Sequence, residues 1–374
     1  MKLKKGTFED FSRQVKTAEK KIIVYGAGVI GRIAAPYWLC QYGLEHEVIC
    51  YVDADFHKQG QTVRLDSRDV SIRPLSALDE ESGQYILLVT VSAFEPVVQA
   101  LDQIPGAKNA EAYFLPIMLL DVAHAPKNGG VVKSSKTKLI PKKIHYCWFS
   151  GKPIPKELQK CIDSWKRFCP DYEIVRWDES NYDIHKSPYM EQAYAYKKWG
   201  FIPDYARLDI LYQYGGIYLD TDVELIRNLD ELLYQPAFCG VENWGTVNFG
   251  GCSGAQPGNP VVQSVLEARK DIAFLGADGQ LNLATCGYYE TNPLIEQGLK
   301  INGETQVIGS GMLTVYAAEF FHPFDYMSGE TNITANTFSI HHFKGSWLSD
   351  AAAKEREQTK LRYQAFVNTL ERSR

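Results

Sequence analysis

The segment PDYARLDILYQYGGIYLDTDVE, residues 203–224, runs a helical pattern straight into a short strand that ends in acids. Its first part reads as a helix stopped by Gly215-Gly216. Ile217-Tyr218-Leu219 is then an apolar strand, and Asp220, Asp222 and Glu224 follow at every second position. In an extended chain such residues point to one side, so the three carboxylates are expected in a row. Like charges in a row repel, and carboxylates leaving a buried strand lose hydration. A divalent cation among them reverses that balance. Oxygen ligands suit Mg²⁺ and Mn²⁺, which typically bridge one or two carboxylates to the phosphates of a ligand. The competing reading is a turn in which the Asp side chains cap local amides.

Two neighbouring features weigh against the plain turn. Asp204 stands where a helix N-cap is expected, and Arg207 lies one turn further on the same face. Arg207 is suited to neutralise a phosphate or to hold a carboxylate, and its structural alternative is a salt bridge to Asp204 or Asp209. Near the other end, SIHHFKGSW (339–347) gathers two histidines, a lysine, a serine and a tryptophan. Adjacent strand residues point opposite ways, so one of His341 and His342 faces a given site, and parity alone does not choose.

Working outward, residues 20–120 alternate short apolar runs with helical patterns. KIIVYG, EVICYVDAD, YILLVTVS and EAYFLP read as strands, with GVIGRIAAPYWLCQYG and FEPVVQALDQI as helices between them. That alternation predicts a parallel, doubly wound sheet. The polar, Gly-containing, basic stretch 125–138 reads as a linker. The alternation then restarts with the strand KIHYCWF and a helix carrying Leu158, Ile162, Trp165 and Phe168 at helical spacing, followed by the strand YEIVRW. The expected organisation is α/β throughout: a Rossmann-like domain over 1–124, a linker over 125–138, a second α/β domain over 139–349 and a C-terminal helix over 350–374.

The 374 residues exceed what one core usually serves. A net charge of −5 lacks the basic footprint of a nucleic-acid binder, so no nucleic-acid partner is expected. The N-terminal MKLKKGTFEDFSRQVK has no apolar run after its basic residues, and no stretch reaches the roughly 18 apolar residues of a spanning helix. Eight scattered cysteines without a C-x-x-C pair are expected to stay reduced. The expected location is the cytoplasm, with peripheral contact at the inner face of the membrane through the Lys-rich linker and the mixed-charge tail.

Residues 141–348 resemble glycosyltransferase family 32, the D-x-D sugar transferases that include bacterial capsular and lipopolysaccharide transferases and yeast mannosyltransferases. The resemblance rests on IPKKIHYCWFSGKPIP, PDYARLDILYQYGGIYLDTDVE, NFGGCSGAQPGNP, FHPF and SIHHFKGSW, in the family's order. It implies a GT-A fold and transfer of a hexose from a nucleotide-diphosphate sugar, UDP being the expected nucleotide, with retention of configuration. It also implies a saccharide or lipid-linked saccharide as acceptor, in capsule or lipopolysaccharide synthesis. By position, Trp148 matches the base-holding residue, Asp204 and Arg207 the element that contacts the donor's sugars and phosphate, and Asp220 and Asp222 the metal-binding D-x-D.

Asn248 matches a position near the transferred sugar, and Tyr218 is a further candidate donor contact. In the closing segment His341, His342 and Ser346 are candidates for the metal or diphosphate, with Lys344 beside them and Trp347 covering the donor. Asp220, Asp222, Asn248 and Arg207 form the candidate catalytic set, with Mn²⁺ or Mg²⁺ as cofactor. The resemblance also favours front-face attack, in which the acceptor hydroxyl enters on the side the diphosphate leaves. Two departures stand: Pro203 replaces the family's small hydroxyl residue, and CGYYETNPLIEQ matches its Gly-Pro acceptor element only loosely.

The N-terminal YGAGVIGR follows a strand and opens a helix, giving G-x-G-x-x-G at Gly26, Gly28 and Gly31. Asp53 ends the next strand, where the ribose-binding acid of a dinucleotide fold belongs. The motif implies a nucleotide ligand, and tight helix–strand packing is the competing use of its glycines. Similar Rossmann-like domains are attached to bacterial sugar-modifying enzymes. Three function classes remain open on sequence: a metal-dependent glycosyltransferase, a bifunctional enzyme whose first half binds or modifies the nucleotide sugar, and a degenerate non-catalytic binder.

Overall fold

The computed structural model describes residues 1–81, 85–127, 129–345 and 350–372. It divides into two compact units: residues 1–125 with 327–329 and 350–374, and residues 126–326 with 330–349.

The first unit is built on β1 (Lys2–Lys5), β2 (Lys21–Tyr25), β3 (Val48–Val52), β4 (Thr62–Leu65), β5 (Arg68–Arg73), β6 (Tyr85–Val89) and β7 (Glu111–Phe114). Their order is β1-β7-β6-β2-β3-β5-β4, all parallel except the β4–β5 hairpin. β6 is buried at every residue and β2 at all but its first, which is why both read as unbroken apolar runs. The predicted strand EAYFLP ends at Phe114 instead, because Leu115-Pro116 open the helix Leu115–His124. Proline suits a helix's first turn, where an N–H has no partner to lose.

The helix after the glycine motif begins as a π segment, Ile30–Ala34, before Ala35–Gln41. Pro36 has no N–H for the Arg32 carbonyl, so the regular bond is missing where the register widens. The C-terminal helix spans Asp350–Thr369 and packs on this unit, with Phe366 stacked on Phe94 at 4.1 Å between centroids. The expected helix over 350–374 is therefore cut short: residues 371–372 pair in parallel with β1.

The second unit contains β8 (Lys143–Cys147), β9 (Glu173–Trp177), β10 (Gly216–Tyr218), β11 (Val223–Leu225), β12 (Ala237–Val241), β13 (Val247–Asn248), β14 (Ser253–Ala255), β15 (Gln306–Ile308), β16 (Leu313–Tyr316) and β17 (Ser339–His341). The main sheet runs β15-β16-β12-β14-β10-β8-β9, with β13 beside β12, while β11 and β17 form a separate antiparallel pair. β10, β8 and β9 are parallel, and β14 turns the sheet antiparallel against β10 and β12. The fold class is thus the expected α/β one: a unit with a mostly parallel sheet followed by a unit with a mixed sheet.

The helix Lys156–Phe168 buries Leu158, Ile162 and Trp165 as its spacing predicts. Trp165 donates its indole N–H to the Val223 carbonyl at 2.7 Å, and Ser164 Oγ accepts the Leu225 N–H at 2.9 Å. This helix therefore fixes β11, the strand that follows the acids. The stretch read as a linker lies along the same unit: the N–H groups of Ser134 and Ser135 both donate to the Tyr234 carbonyl. Asn128 within it lies outside the described residues.

Candidate active site

The helix Pro203–Tyr214 is buried along most of its length, including Asp204, Arg207 and Asp209. Asp204 is not its N-cap. Ile202 holds that position and Pro203 fills the first turn, so Asp204 falls inside the helix with its carboxylate free to meet Arg207. Gly215 and Gly216 then take positive φ, 63° and 97°, which turns the chain back into β10. A side chain at Gly216 would also press on the buried ring of His145.

β10 ends at Tyr218, and the Val223 N–H donates to the Asp220 carbonyl at 3.0 Å. Asp220 and Asp222 therefore sit on a turn between β10 and β11 while Glu224 lies in β11, and the expected extended row of three does not form. Asp220 and Asp222 converge, while Glu224 leaves toward His342, Oε2 to Nε2 at 2.9 Å. The register of β11 on β17, Val223 opposite His341, resolves the histidine parity. His341 Nε2 lies 3.3 Å from Asp222 Oδ1, so His342, expected beside it as a metal ligand, points away.

Asp220, Asp222 and His341 each present a ligand atom, all within 4.8 Å of one another. Two carboxylate oxygens and an imidazole nitrogen form a donor set for a divalent cation, the carboxylates being of the kind that suit Mn²⁺ or Mg²⁺. Burial raises the Asp222 carboxyl, but the charge of His341 and the Lys344 N–H more than offset this and hold it at about 2. His341 is pushed up in turn: burial opposes its charge, and Asp222 outweighs burial.

Behind Asp220 lies a buried charge cluster. Arg207 is 3% exposed; its Nη2 contacts Asp204 Oδ1 at 3.0 Å and both Asp220 oxygens at 3.4 Å. Its Nη1 donates to Glu290 Oε1 at 3.4 Å, and its guanidinium lies over the Tyr218 ring. The Tyr218 hydroxyl donates to Asp220 Oδ1 at 3.1 Å. Arg269, 1% exposed, lies 3.8 Å from Asp204 Oδ2 between the rings of Tyr189 and Tyr289. Of the two residues expected as donor contacts, Arg207 is turned on Asp204 and Asp220, and Asp204 on Arg207 and Arg269.

Sequence reasoning missed Glu290 and Arg269. Glu290 lies within CGYYETNPLIEQ, which on sequence is only a loose acceptor-side match, and Arg269 stands in a segment without a chemical motif; their burial against Arg207 and Asp204 reveals them. Glu290 is fully buried, and burial pushes its carboxyl up to about 7 despite Arg207 and the Phe249 N–H.

The other expected residues are placed as follows. Trp148 follows β8 next to β10, half-buried, with its indole N–H on the Lys152 carbonyl at 2.6 Å. Asn248 is buried, accepting the Gly250 N–H at 2.7 Å and donating to Glu242 Oε1 at 2.6 Å. Lys344 meets Asp222 through its backbone N–H, and its ammonium lies 3.5 Å from Glu157. Ser346 and Trp347 lie outside the described residues.

In the first unit, Gly26 has φ of 101°, and a Cβ at Gly31 would run into the Gly26 carbonyl, so both glycines serve close packing. At Gly28 a Cβ would meet nothing within 4 Å. Asp53 Oδ2 accepts the Ala27 N–H at 2.7 Å and pairs with Lys58 at 3.2 Å, so the acid is engaged by the glycine loop itself. All eight cysteines are free thiols. Among the described residues, no helix is long and apolar enough to cross a membrane.

Residues 155–239 match the family model described as a glycosyltransferase sugar-binding region containing a DXD motif. The chain is 38% identical over 115 residues to inositol phosphoceramide mannosyltransferase 3 of Schizosaccharomyces pombe, covering 29% of this chain and 31% of that protein. It is 38% identical over 111 residues to the mannosyl phosphorylinositol ceramide synthase SUR1 of Saccharomyces cerevisiae, covering 28% of each. The chain thus spans about a third or less of the length of these curated relatives. Among solved structures it is similar to PaToxG glycosyltransferase, at 18% identity and a TM-score of 0.35, over 49% of this chain and 76% of that one. The family match spans Asp204, Arg207, Tyr218 and both turn aspartates, so the residues similar to a DXD-containing glycosyltransferase sugar-binding region are those that build this turn.

Proposed function

We propose that the protein is a metal-dependent glycosyltransferase that moves a hexose from a nucleotide-diphosphate sugar to a hydroxyl acceptor with retention of configuration. The observation that carries this reading is the convergence of Asp220, Asp222 and His341 at one turn of the DXD segment. These residues would hold Mn²⁺ or Mg²⁺, which supplies charge compensation for a departing diphosphate.

The chain's own residues do the rest. The His341–Asp222 contact and the Lys344 N–H keep Asp222 ionised and oriented. Arg207 and the Tyr218 hydroxyl hold Asp220 from behind. Trp148, at the end of the neighbouring parallel strand, offers its ring for a nucleotide base, which stacks well on aromatic faces. Front-face departure and attack need no carboxylate nucleophile, which agrees with a site whose acids are engaged by the cluster, the turn and Asn248.

The acceptor class is a saccharide or polyol hydroxyl. The bacterial side of the resemblance points to a capsular or lipopolysaccharide saccharide and a UDP-sugar. The names of the fungal relatives favour a second reading, in which a mannosyl group passes to the inositol of an inositol phosphoceramide. An acceptor on a lipid would bring the chain to a membrane surface.

The test is turnover of UDP-glucose, UDP-galactose and GDP-mannose with Mn²⁺ or with EDTA, products identified by mass spectrometry. Consumption of one donor that requires Mn²⁺ and fails in Asp222→Asn is the expected result. Turnover indifferent to EDTA, or no turnover of any donor, would overturn the proposal.

A further inference from the structure

Glu290 closes a ring of contacts around the first aspartate of the turn. Its Oε1 accepts from Arg207 Nη1 at 3.4 Å, and Arg207 Nη2 reaches both oxygens of Asp220 at 3.4 Å. Its Oε2 accepts the Phe249 N–H at 2.8 Å. The next residue, Gly250, receives the Asp220 N–H on its carbonyl at 2.8 Å. Side chain and backbone of Asp220 are thus tied, through two routes, to one fully buried carboxylate.

The ring is tight. A Cβ at Gly250 would lie 2.9 Å from both Arg207 Nη1 and Asp220 Cγ, with Asp220 Oδ2 closer still. Charge points the same way. Arg207 divides its attraction among Asp204, Asp220 and Glu290, and each acid that shares it weakens its hold on Asp220. Arg269 draws Asp204 in the opposite direction.

We propose that Glu290 is a positioning residue for the metal site: by sharing Arg207 and anchoring the 249–250 backbone, it sets the place and the free charge of Asp220. This rests on the reading that Asp220, Asp222 and His341 hold a divalent cation. A carboxylate drawn wholly to a guanidinium is a poorer cation ligand, and buried partners that orient metal ligands are worth roughly ten- to hundred-fold in affinity. The Gln side chain keeps the size of Glu290 and an acceptor for the Phe249 N–H, but it removes the charge that shares Arg207.

The experiment measures Mn²⁺ affinity of the full chain by calorimetry and by the Mn²⁺ electron paramagnetic resonance signal. The proteins are wild type, Glu290→Gln, Glu290→Asp, Asp222→Asn and Asp230→Asn, each with its thermal melt. Asp230 lies in an ion pair with Lys138 and Lys142, so its variant reports stability alone. The expected result is a roughly ten-fold or greater loss of Mn²⁺ affinity in Glu290→Gln, partial recovery in Glu290→Asp, and no change in Asp230→Asn. Wild-type Mn²⁺ affinity in Glu290→Gln, with Asp222→Asn unable to bind, would overturn the positioning role and leave the metal site standing. Unaltered binding in Asp222→Asn would overturn the metal reading on which the role rests.

Discussion

Gly250→Ala is the smallest change that presses on the DXD turn while leaving every candidate ligand residue unsubstituted. The added methyl carbon would sit 2.9 Å from Arg207 Nη1 and from Asp220 Cγ. Relaxed contacts lie at about 3.5–4.0 Å, so the carboxylate and guanidinium must retreat by roughly an ångström. Overpacking of this kind typically costs about 1–3 kcal/mol. At about 2–4 °C per kcal/mol for a unit of this size, the melting temperature should fall by about 2–12 °C. The functional loss should be larger, because an ångström of misplacement at a reacting centre can cost on the order of a hundred-fold. Thermal unfolding, Mn²⁺ titration and donor turnover on one preparation give all three quantities. A variant that melts and binds Mn²⁺ like wild type would refute the reasoning, since Asp220 could then move without consequence.

The two histidines should separate cleanly. His341→Ala removes a candidate ligand and should abolish tight Mn²⁺ binding, whereas His342→Ala removes a half-exposed pair with Glu224 worth about 1 kcal/mol or less and should leave turnover near wild type. Glu290 predicts a pH effect on stability. Its folded carboxyl lies near 7, pushed up by burial, so the folded state holds the proton more tightly than the unfolded chain, and stability is lost as pH rises from about 4.5 through 7. Thermal melts at pH 5 and pH 8 should show Glu290→Gln gaining on wild type at the higher pH. In the first unit, Phe366→Ala should destabilise by about 3 kcal/mol through the lost stack on Phe94, while Mn²⁺ affinity measured by titration stays unchanged.

The buried parallel strands were legible because both faces are covered: KIIVY and YILLV can only be apolar runs. The β4–β5 hairpin escaped notice because its residues alternate between core and solvent, as in the exposed–buried pattern of Thr62–Leu65, and the basic strand β1 because it buries none of its residues. At the site, the spacing of Asp220 and Asp222 and the block around His341 carried the reading. The choice between His341 and His342 needed the β11–β17 register, which no local pattern encodes. The straight row of acids was misread because a turn brings i and i+2 together as readily as a strand does. Asp204 was misread as a cap because its buried partners, Arg207 and Arg269, come from the helix interior and from a distant segment. Glu290 was invisible for the same reason: its role exists only through contacts made across the fold.

The most direct measurement is calorimetric titration of UDP and GDP, each with Mn²⁺ and with EDTA, on wild type and Asp222→Asn. If the DXD turn is a metal and donor clamp, one nucleotide binds wild type in the presence of Mn²⁺ only and fails to bind the variant. Nucleotide binding that persists in EDTA and in Asp222→Asn would contradict it, and would direct attention to the Gly26–Gly31 loop instead.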